Sequence, residues 1–439
     1  MSDPGHDPAT PRSPIAPIQD LDRLLVREWL LLAIATLLAL PAPVLRGLDI
    51  TGIYHHHMPS EVEAIIFGLA VFSAATLLTW ASEVAETEVS AGLALVVLAL
   101  IAVLPEYAVD LYFAWTAPDN PDNAHLAVAN MTGGNRLLVG LAWPAIFFIF
   151  WKKFGKNIMP IDRGNALGIL FLGAATAYSF SIPLRGHLSL IDTGIMFSLF
   201  AGYLYIASKS PPEHMKEFVG PAAAIGALPR MRRRLVVLGI FAYAATVIFA
   251  AAEPFAESLV HTGEKAGIDE FILVQWVAPL ASESPEFILA GLLALRGRYD
   301  AGMTILISSK VNQWTLLIGS LPLAYSISGG TLAPLDFDTR QSEEIFLTAG
   351  QSLFAVAILI SLSVNRWEAI VLGVGFATQF VFTDGTIRVV YGAVYCALAF
   401  VILLRDIPHF RTFGSAVKES WTQSGAKAHG GIPPPGGPP

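Results

Sequence analysis

Two Pro–Glu pairs, Pro105–Glu106 and Pro285–Glu286, lie inside long apolar stretches of this 439-residue chain. A carboxylate at the centre of an apolar span costs about 3 kcal/mol or more, so an acid that persists there usually has a function. Proline lacks a backbone N–H and leaves the carbonyl oxygen four residues earlier without its helical partner. Carboxylates and free carbonyl oxygens are the ligands that hard cations such as Ca²⁺ prefer. The two pairs therefore predict a cation site.

The sequence around the first pair repeats around the second. LPEY at 104–107 is followed by LLVG at 137–140, and SPEF at 284–287 is followed by LLIG at 316–319. Our assignment of membrane spans places the two copies in opposite orientations. Repeats of inverted topology are typical of secondary transporters, whose substrate site lies near the bilayer midplane at the repeat interface.

Other oxygen-bearing side chains accompany the two glutamates. Asp110 lies four residues after Glu106, and Glu283 lies three residues before Glu286, so each acid shares a helix face with its glutamate. The two glycines of ANMTGGN at 129–135 permit a close approach between helices. We predict that the cation site is formed or tuned by Asp110, Asn130, Asn135, Ser282, Glu283, Ser308, Ser309 and Asn312 in addition to Glu106 and Glu286.

A lysine, Lys310, falls within the second copy, and an arginine, Arg136, falls within the first. The sequence leaves three roles open for the ammonium group of Lys310. It could stand in for a bound Na⁺, cycle a proton, or pair with an acid or face a water-filled vestibule. For Arg136 we expect a structural salt bridge. We assign coupling or gating roles to Lys310 and to three acids of neighbouring spans, Glu86, Glu253 and Glu257.

This pattern resembles the alpha repeats of the cation/calcium antiporter superfamily, which includes sodium/calcium exchangers and calcium/proton exchangers. The family repeats read roughly G-T-S-x-P-E-L and then G-N-x-x-G-S-N on the following helix. Both Pro–Glu cores match, as do Asn130, Gly133 and Asn135. The resemblance covers about 62–151 and 235–326. It implies that the two glutamates bind the cation and that peripheral helices slide over a core to give alternating access.

Three departures from the family pattern bear on the ligands. IAV at 101–103 stands where Gly-Thr-Ser would lie, and Glu283 stands where a serine is usual. The amide or acid expected in the second half of repeat two is missing, with Ser308 or Ser309 nearest to that position.

The resemblance implies a secondary antiporter that exchanges Ca²⁺ or a related cation for Na⁺ or H⁺. Two alternatives stay open: a monovalent Na⁺(K⁺)/H⁺ exchanger on the same fold, and a non-transporting membrane sensor or assembly protein. We do not expect an enzyme, because the sequence has no nucleophile–base pair, metal triad or phosphate-binding loop at a recognisable spacing. We expect no cofactor beyond the transported ions, such as Ca²⁺, Na⁺ and H⁺.

The elements that position these residues are predicted to be membrane helices. The chain is 54% hydrophobic and 14% charged, whereas a soluble domain carries about 25% charged residues. A helix needs roughly 20 apolar residues to cross a bilayer. We therefore predict an all-α polytopic membrane protein of about twelve transmembrane helices in two inverted repeats. The spans lie near 29–47, 62–84, 91–115, 125–151, 166–184, 188–207, 235–261, 268–296, 301–326, 344–364, 367–383 and 386–404.

Lysine and arginine lie before the first span and after most even-numbered spans. The positive-inside rule then places both termini in the cytoplasm. We expect the protein to lie in the inner membrane. Its partners would be the lipid bilayer and small cations, without nucleic acid; the oligomeric state stays open, as does metal binding by His55, His56 and His57. The predicted domains are a disordered leader at 1–24, a first half at 25–207, a cytoplasmic linker at 208–234, a second half at 235–405 and a disordered cytoplasmic tail at 406–439.

Overall fold

Helices dominate the computed structural model, which describes residues 18–52, 58–85, 104–208, 218, 220–380 and 384–428. The prediction of a helical membrane protein is confirmed. The helices are α1 (Ile18–Ala39), α2 (Pro41–Ile50), α3 (Ser60–Ala85), α4 (Leu104–Thr116), α5 (Asp122–Leu137), α6 (Trp143–Phe154), α7 (Ala166–Ser179), α8 (Ser181–Arg185), α9 (Leu190–Ala207), α10 (Pro221–Gly226), α11 (Arg230–Ala266), α12 (Glu270–Leu295), α13 (Tyr299–Asn312), α14 (Ile318–Gly329), α15 (Thr339–Leu359), α16 (Arg366–Ala377), α17 (Gly385–Arg405) and α18 (His409–Ala428).

Nine helical segments within the described ranges are long and apolar enough to cross a membrane. They are Val26–Ile50, Ser60–Ala85, Asp122–Phe154, Arg163–Arg185, Leu190–Ala207, Arg230–Ala266, Glu270–Leu295, Thr339–Leu359 and Gly385–Arg405. The remaining three predicted spans coincide with other helices: α4, α13 with α14, and α16. Residues 86–103, which precede α4, lie outside the described part of the chain. The α13 segment carries a run of polar residues, which lowers its hydropathy below that of an ordinary span.

Two π-helical turns interrupt long helices at matching places. One turn, Leu138–Ala142, joins α5 to α6, and the other, Gln313–Leu317, joins α13 to α14. Each overlaps one copy of the repeated LLVG and LLIG tetrapeptides. The first turn packs on α16, and the second packs on α9. Single π turns inside α-helices are frequently found at functional sites.

Two short antiparallel strand pairs tie the first part of the chain to the second. β1 (Ile158–Pro160) pairs with β4 (Ser363–Asn365), with Met159 opposite Val364. β2 (His187–Leu188) pairs with β3 (Leu335–Asp336), with Leu188 opposite Leu335. Each pair joins the loops at the ends of helices that lie far apart in sequence, and so it fixes their ends relative to each other.

The centre of the fold is α12, which packs against α3, α5, α6 and α13. Pro279 and Pro285 both lie inside this helix. Two glycines of α5 bring it close to α12: a Cβ atom at Gly133 would collide with the main-chain oxygen of Gln275, and one at Gly134 would collide with the side chain of Glu283. Only glycine allows this approach, so the second half of the ANMTGGN segment fixes the spacing of the central helices.

The termini and the linker contain more helix than the sequence predicted. Helix α1 begins at Ile18, inside the expected leader, and α11 begins at Arg230, inside the expected linker. Helix α18 occupies much of the expected disordered tail and packs on α7. The tail is polar on average, but Phe413 and Ala416 share one face and are both buried. The polar average composition of the segment does not indicate this amphipathic pattern.

The contact between α5 and α12 gives a stability prediction. Gly133→Ala should lower stability by about 1–3 kcal/mol, because the added methyl forces two packed helices apart. Gly239→Ala in α11 is the matched control, since its methyl would meet no described atom within 4 Å. Thermal unfolding of both variants in detergent measures the difference. Equal melting temperatures for the two variants would show that the close approach is absent.

Candidate functional site

The two repeated glutamates come together where α4 and α12 meet. Glu106 lies in the first turn of α4 and is 4% exposed, while Glu286 lies in the second half of α12 and is partly buried. Glu283, one turn before Glu286, is 3% exposed. These three carboxylates are close enough to repel one another electrostatically. Asp110 lies one helical turn beyond Glu106, is buried, and adds a fourth acid to the group.

Neutral polar side chains from the next helix of each half border these acids. Asn130 of α5 lies beside Asp110, and Ser309 of α13 lies beside Glu286. The side-chain amide of Gln313, at the start of the second π turn, interacts with both Glu106 and Glu283. The site is therefore built from four helices, α4, α5, α12 and α13. It combines carboxylates with amide and hydroxyl oxygens.

Many oxygens of this cluster have no hydrogen-bond donor among the described residues. They are Glu106 Oε2, both carboxylate oxygens of Asp110, Asn130 Oδ1, Glu283 Oε2, Glu286 Oε2 and Gln313 Oε1. Buried polar atoms are almost always paired, so a group of unpaired acceptors needs an explanation. Acceptors of this kind are the ligands of hard cations. The donor set thus suits a cation such as Ca²⁺.

The four acids interact electrostatically, but they do not form a complete metal-binding site by themselves. Within the described ranges, no three Asp, Glu, His or Cys side chains gather tightly enough to hold a metal ion by themselves. Any cation bound here would need the neutral oxygens as well.

Lys310 enters the cluster from α13 and is fully buried. Its ammonium group donates to the side-chain oxygen of Asn135 at 2.7 Å and to the main-chain oxygen of Asn135 at 3.2 Å. It also lies 4.5 Å from the ring centre of Trp314 and is attracted electrostatically by Glu283. Asn135 therefore contacts the lysine, although the sequence predicted it as a cation ligand.

Three other predicted ligands make contacts away from the four acids. Ser282 is buried and donates to the main-chain oxygens of its own helix. Ser308 is exposed and lies 3.3 Å from the hydroxyl of Tyr203. The side-chain oxygen of Asn312 accepts a hydrogen bond from Tyr107 at 3.2 Å. Asn312 therefore links α13 to the helix that carries Glu106.

The predicted gating acids of the seventh span contact neighbouring helices. Glu253 of α11 forms an ion pair with Arg46 of α2. Glu257, one turn later, accepts a hydrogen bond from the hydroxyl of Tyr112 at 2.8 Å, which ties α11 to α4. Glu86, the third predicted gating acid, lies outside the described residues. The histidine cluster at 55–57 also lies outside them.

A second buried polar cluster lies beside the site, and the sequence indicated only part of it. Arg136 forms an ion pair with Glu344 of α15 at 2.6 Å, which is the structural salt bridge that we expected for this arginine. Glu344 also accepts from Gln275 at 3.0 Å, and Arg388 approaches it at 3.6 Å. Gln379 accepts from Arg136 at 3.2 Å. Nothing in the local sequence around Glu344 reveals this partnership, which joins residues far apart in the chain.

Gln313 is absent from the predicted ligand set, although it lies in the same polar segment, ISSKVNQ at 307–313, as three of the predicted ligands. It directly follows the predicted ligand Asn312 in the motif ISSKVNQ. In a regular α-helix, the side chains of Asn312 and Gln313 would point in directions about 100° apart. Because the π turn begins at Gln313, the backbone changes pitch at this residue, and sequence alone does not show that change.

Comparison with known proteins assigns the chain to a family. A model of the sodium/calcium exchanger protein family matches residues 63–209 and 236–405. These two ranges together make up well over half of the sequence. The chain therefore belongs to the sodium/calcium exchanger family of membrane proteins.

Among solved structures, the chain is similar to the crystal structure of the H⁺/Ca²⁺ exchanger CAX. The two are 43% identical, with a TM-score of 0.85, and the match covers 91% of this chain and 99% of that chain. Native YfkE shares 17% identity with a TM-score of 0.55, over 81% of this chain and 98% of its own. A structure of the sodium-calcium exchanger NCX_Mj shares 15% identity with a TM-score of 0.50, over 73% of this chain and 98% of its own. The last two establish a shared fold only. A comparison with curated proteins gave no match.

The ion pair between Arg136 and Glu344 gives a second stability prediction. Glu344→Gln should destabilise the protein by about 3 kcal/mol, because it leaves a buried guanidinium without its counter-charge. The exposed pair between Arg163 and Glu419, at 3.0 Å, supplies the control. Glu419→Gln should change stability by less than about 1 kcal/mol. Thermal unfolding in detergent compares the two, and a Glu344 variant as stable as the control would contradict the buried-pair account.

Proposed function

We propose that this protein exchanges Ca²⁺ for protons across the membrane, and that Glu106 and Glu286 bind the two kinds of ion in turn. The observation that carries the proposal is the buried group of carboxylates where α4 meets α12, several of whose oxygens lack protein donors among the described residues. The family assignment and the 43% identity to an H⁺/Ca²⁺ exchanger support the same reading.

The proposed architecture is a pair of inverted repeats with about twelve membrane helices. Three correspondences support it. Each copy has a glutamate after a proline, and each has a π turn about 30 residues later. The strand pairs β1–β4 and β2–β3 each join one loop from either half. Inverted repeats place an ion site at the midplane between them. We further propose the inner membrane as the location, with both termini cytoplasmic.

Electroneutrality explains how one pair of glutamates serves two ions. A buried carboxylate pair without a counter-ion is strongly unfavourable. One Ca²⁺ balances both charges, and so does one proton on each carboxyl group. Ca²⁺ takes six to eight oxygens, so the neutral side chains must complete its shell. We assign this role to Asn130, Ser309 and Gln313, together with the carbonyl oxygen of Ala281, which Pro285 leaves without its helical donor.

Alternating access would come from α3 and α11, which pack along each other and against the central helices. Two polar contacts hold α11 in the present arrangement: Glu253 with Arg46, and Glu257 with Tyr112. Both are at least partly exposed and lie toward the same end of α11. Polar contacts of this kind exchange readily with water, so they are suited to break and re-form as α11 moves.

Transport in liposomes tests the proposal. With an acidic interior, purified protein should take up ⁴⁵Ca²⁺, because outward proton flow drives calcium inward. Calcium uptake by the variant with Glu106→Gln and Glu286→Gln should fall to the level of empty liposomes, since the two substitutions remove both charges that bind Ca²⁺. Glu264→Gln is the matched control, as Glu264 is exposed and pairs with His261 away from the site; it should transport like the unchanged protein.

The same assay separates the other functions. Uptake driven by an outward Na⁺ gradient alone would replace protons with Na⁺ as the counter-ion. Proton movement driven by Na⁺ or K⁺, with no calcium uptake, would identify a monovalent exchanger. The absence of every flux would refute transport and favour a membrane sensor or assembly protein.

A further inference from the structure

The exchange of Ca²⁺ for protons leaves the buried Lys310 of the site unexplained. Its ammonium group is fully buried in the centre of the helical bundle, at the end of α13. Burying a lysine there is costly unless its charge is balanced. The groups that surround it indicate what it does.

The partners of the ammonium group are those that would bind a small cation. Asn135 supplies a side-chain oxygen at 2.7 Å and a main-chain oxygen at 3.2 Å. Glu283 supplies a negative charge, and the face of Trp314 lies 4.5 Å away. Amide and carbonyl oxygens, a carboxylate and an aromatic face all attract cations. Arg136 also lies within electrostatic range, but Glu344 holds its guanidinium group at 2.6 Å.

The charges of the site can be balanced in pairs. An ionised Glu283 and the ammonium group of Lys310 attract each other, so their two charges cancel. Glu106, Glu286 and Asp110 then remain for mobile ions. If Lys310 were uncharged or absent, Glu283 would add its repulsion to that of its neighbours Glu106 and Glu286. An additional monovalent cation would then be needed to balance it.

We propose that the side-chain nitrogen of Lys310 fills a monovalent-cation subsite made by Asn135, Glu283 and Trp314, and that the protein for this reason binds neither Na⁺ nor K⁺ at that position. The inference rests on the proposed function only in placing this subsite beside the Ca²⁺ site. Its consequence is a specificity rule: Lys310 excludes Na⁺ from the exchange cycle. Removing the side chain should open the subsite to Na⁺ or K⁺ from solution.

The dependence of the melting temperature on the added cation tests the proposed subsite without a transport measurement. A ligand that binds only the folded protein raises its melting temperature. Unfolding is measured in NaCl, KCl and N-methyl-D-glucamine chloride at equal ionic strength, without Ca²⁺. The unchanged protein should melt at the same temperature in all three salts. Lys310→Ala should melt at least about 2 °C higher in NaCl or KCl than in the organic salt.

A double variant serves as the control. Lys310→Ala combined with Glu283→Gln keeps the space but removes the unpaired carboxylate, so its melting temperature should no longer depend on the cation. Saturable stabilisation of the unchanged protein by Na⁺ or K⁺, with Lys310→Ala showing no cation dependence, would overturn the proposal. If Lys310→Ala does not fold in any salt, the double variant should restore folding, because it removes the buried charge; failure of that rescue would also overturn it.

The result is separable from calcium exchange. If Na⁺ stabilises Lys310→Ala but the unchanged protein moves no Ca²⁺, the subsite is supported and the proposed function is refuted. Active Ca²⁺/H⁺ exchange by the unchanged protein, together with a cation-independent Lys310→Ala, would keep the function and refute the subsite.

Discussion

The electrostatic cost of placing several carboxylates in a low-dielectric interior governs this structure. Glu106, Asp110 and Glu283 are nearly inaccessible to solvent, and Glu286 is partly so. Charges in such a place must be balanced by counter-ions, by protons or by a fixed cation. In our proposal, Lys310 supplies a cation for one of them, Glu283, and the remaining charge is left to mobile ions. An exchanger needs this imbalance, because a site fully satisfied by its own protein would have no reason to bind an ion.

The rest of the fold can be understood as support for that cluster. Gly133 and Gly134 let α5 lie directly against α12, with Gly134 against the side chain of Glu283. The strand pairs β1–β4 and β2–β3 fix loops of the two halves to each other. The buried pair of Arg136 and Glu344 joins α5 to α15 close to the site. These contacts join the central helices and the two halves, whereas the contacts of α11 at Glu253 and Glu257 are more exposed to solvent.

The sequence predicted those parts of the structure that depend on local pattern. Long apolar runs located the helices. The repeated Pro–Glu pairs indicated the glutamates that the structure brings together in the candidate site, since this signal lies within a few adjacent residues. It could not predict contacts that join distant segments. The partnership of Arg136 with Glu344, and that of Lys310 with Asn135, requires the helices to be assembled first. The contribution of Gln313 depends on a π turn whose position is set by packing. The helix α18 was missed because its composition is polar, although its buried face is regular.

The central claim is that one carboxylate pair holds either Ca²⁺ or protons, and it is tested most directly by counting protons during calcium binding. Metal binding to protonated ligands releases their protons. Calorimetry of Ca²⁺ binding to the detergent-solubilised protein, in buffers of different ionisation enthalpy, gives that number. Near the lower end of the working pH range the account predicts release of up to about two protons per Ca²⁺, and calcium affinity that rises with pH. Calcium binding that releases no protons and is independent of pH would contradict it.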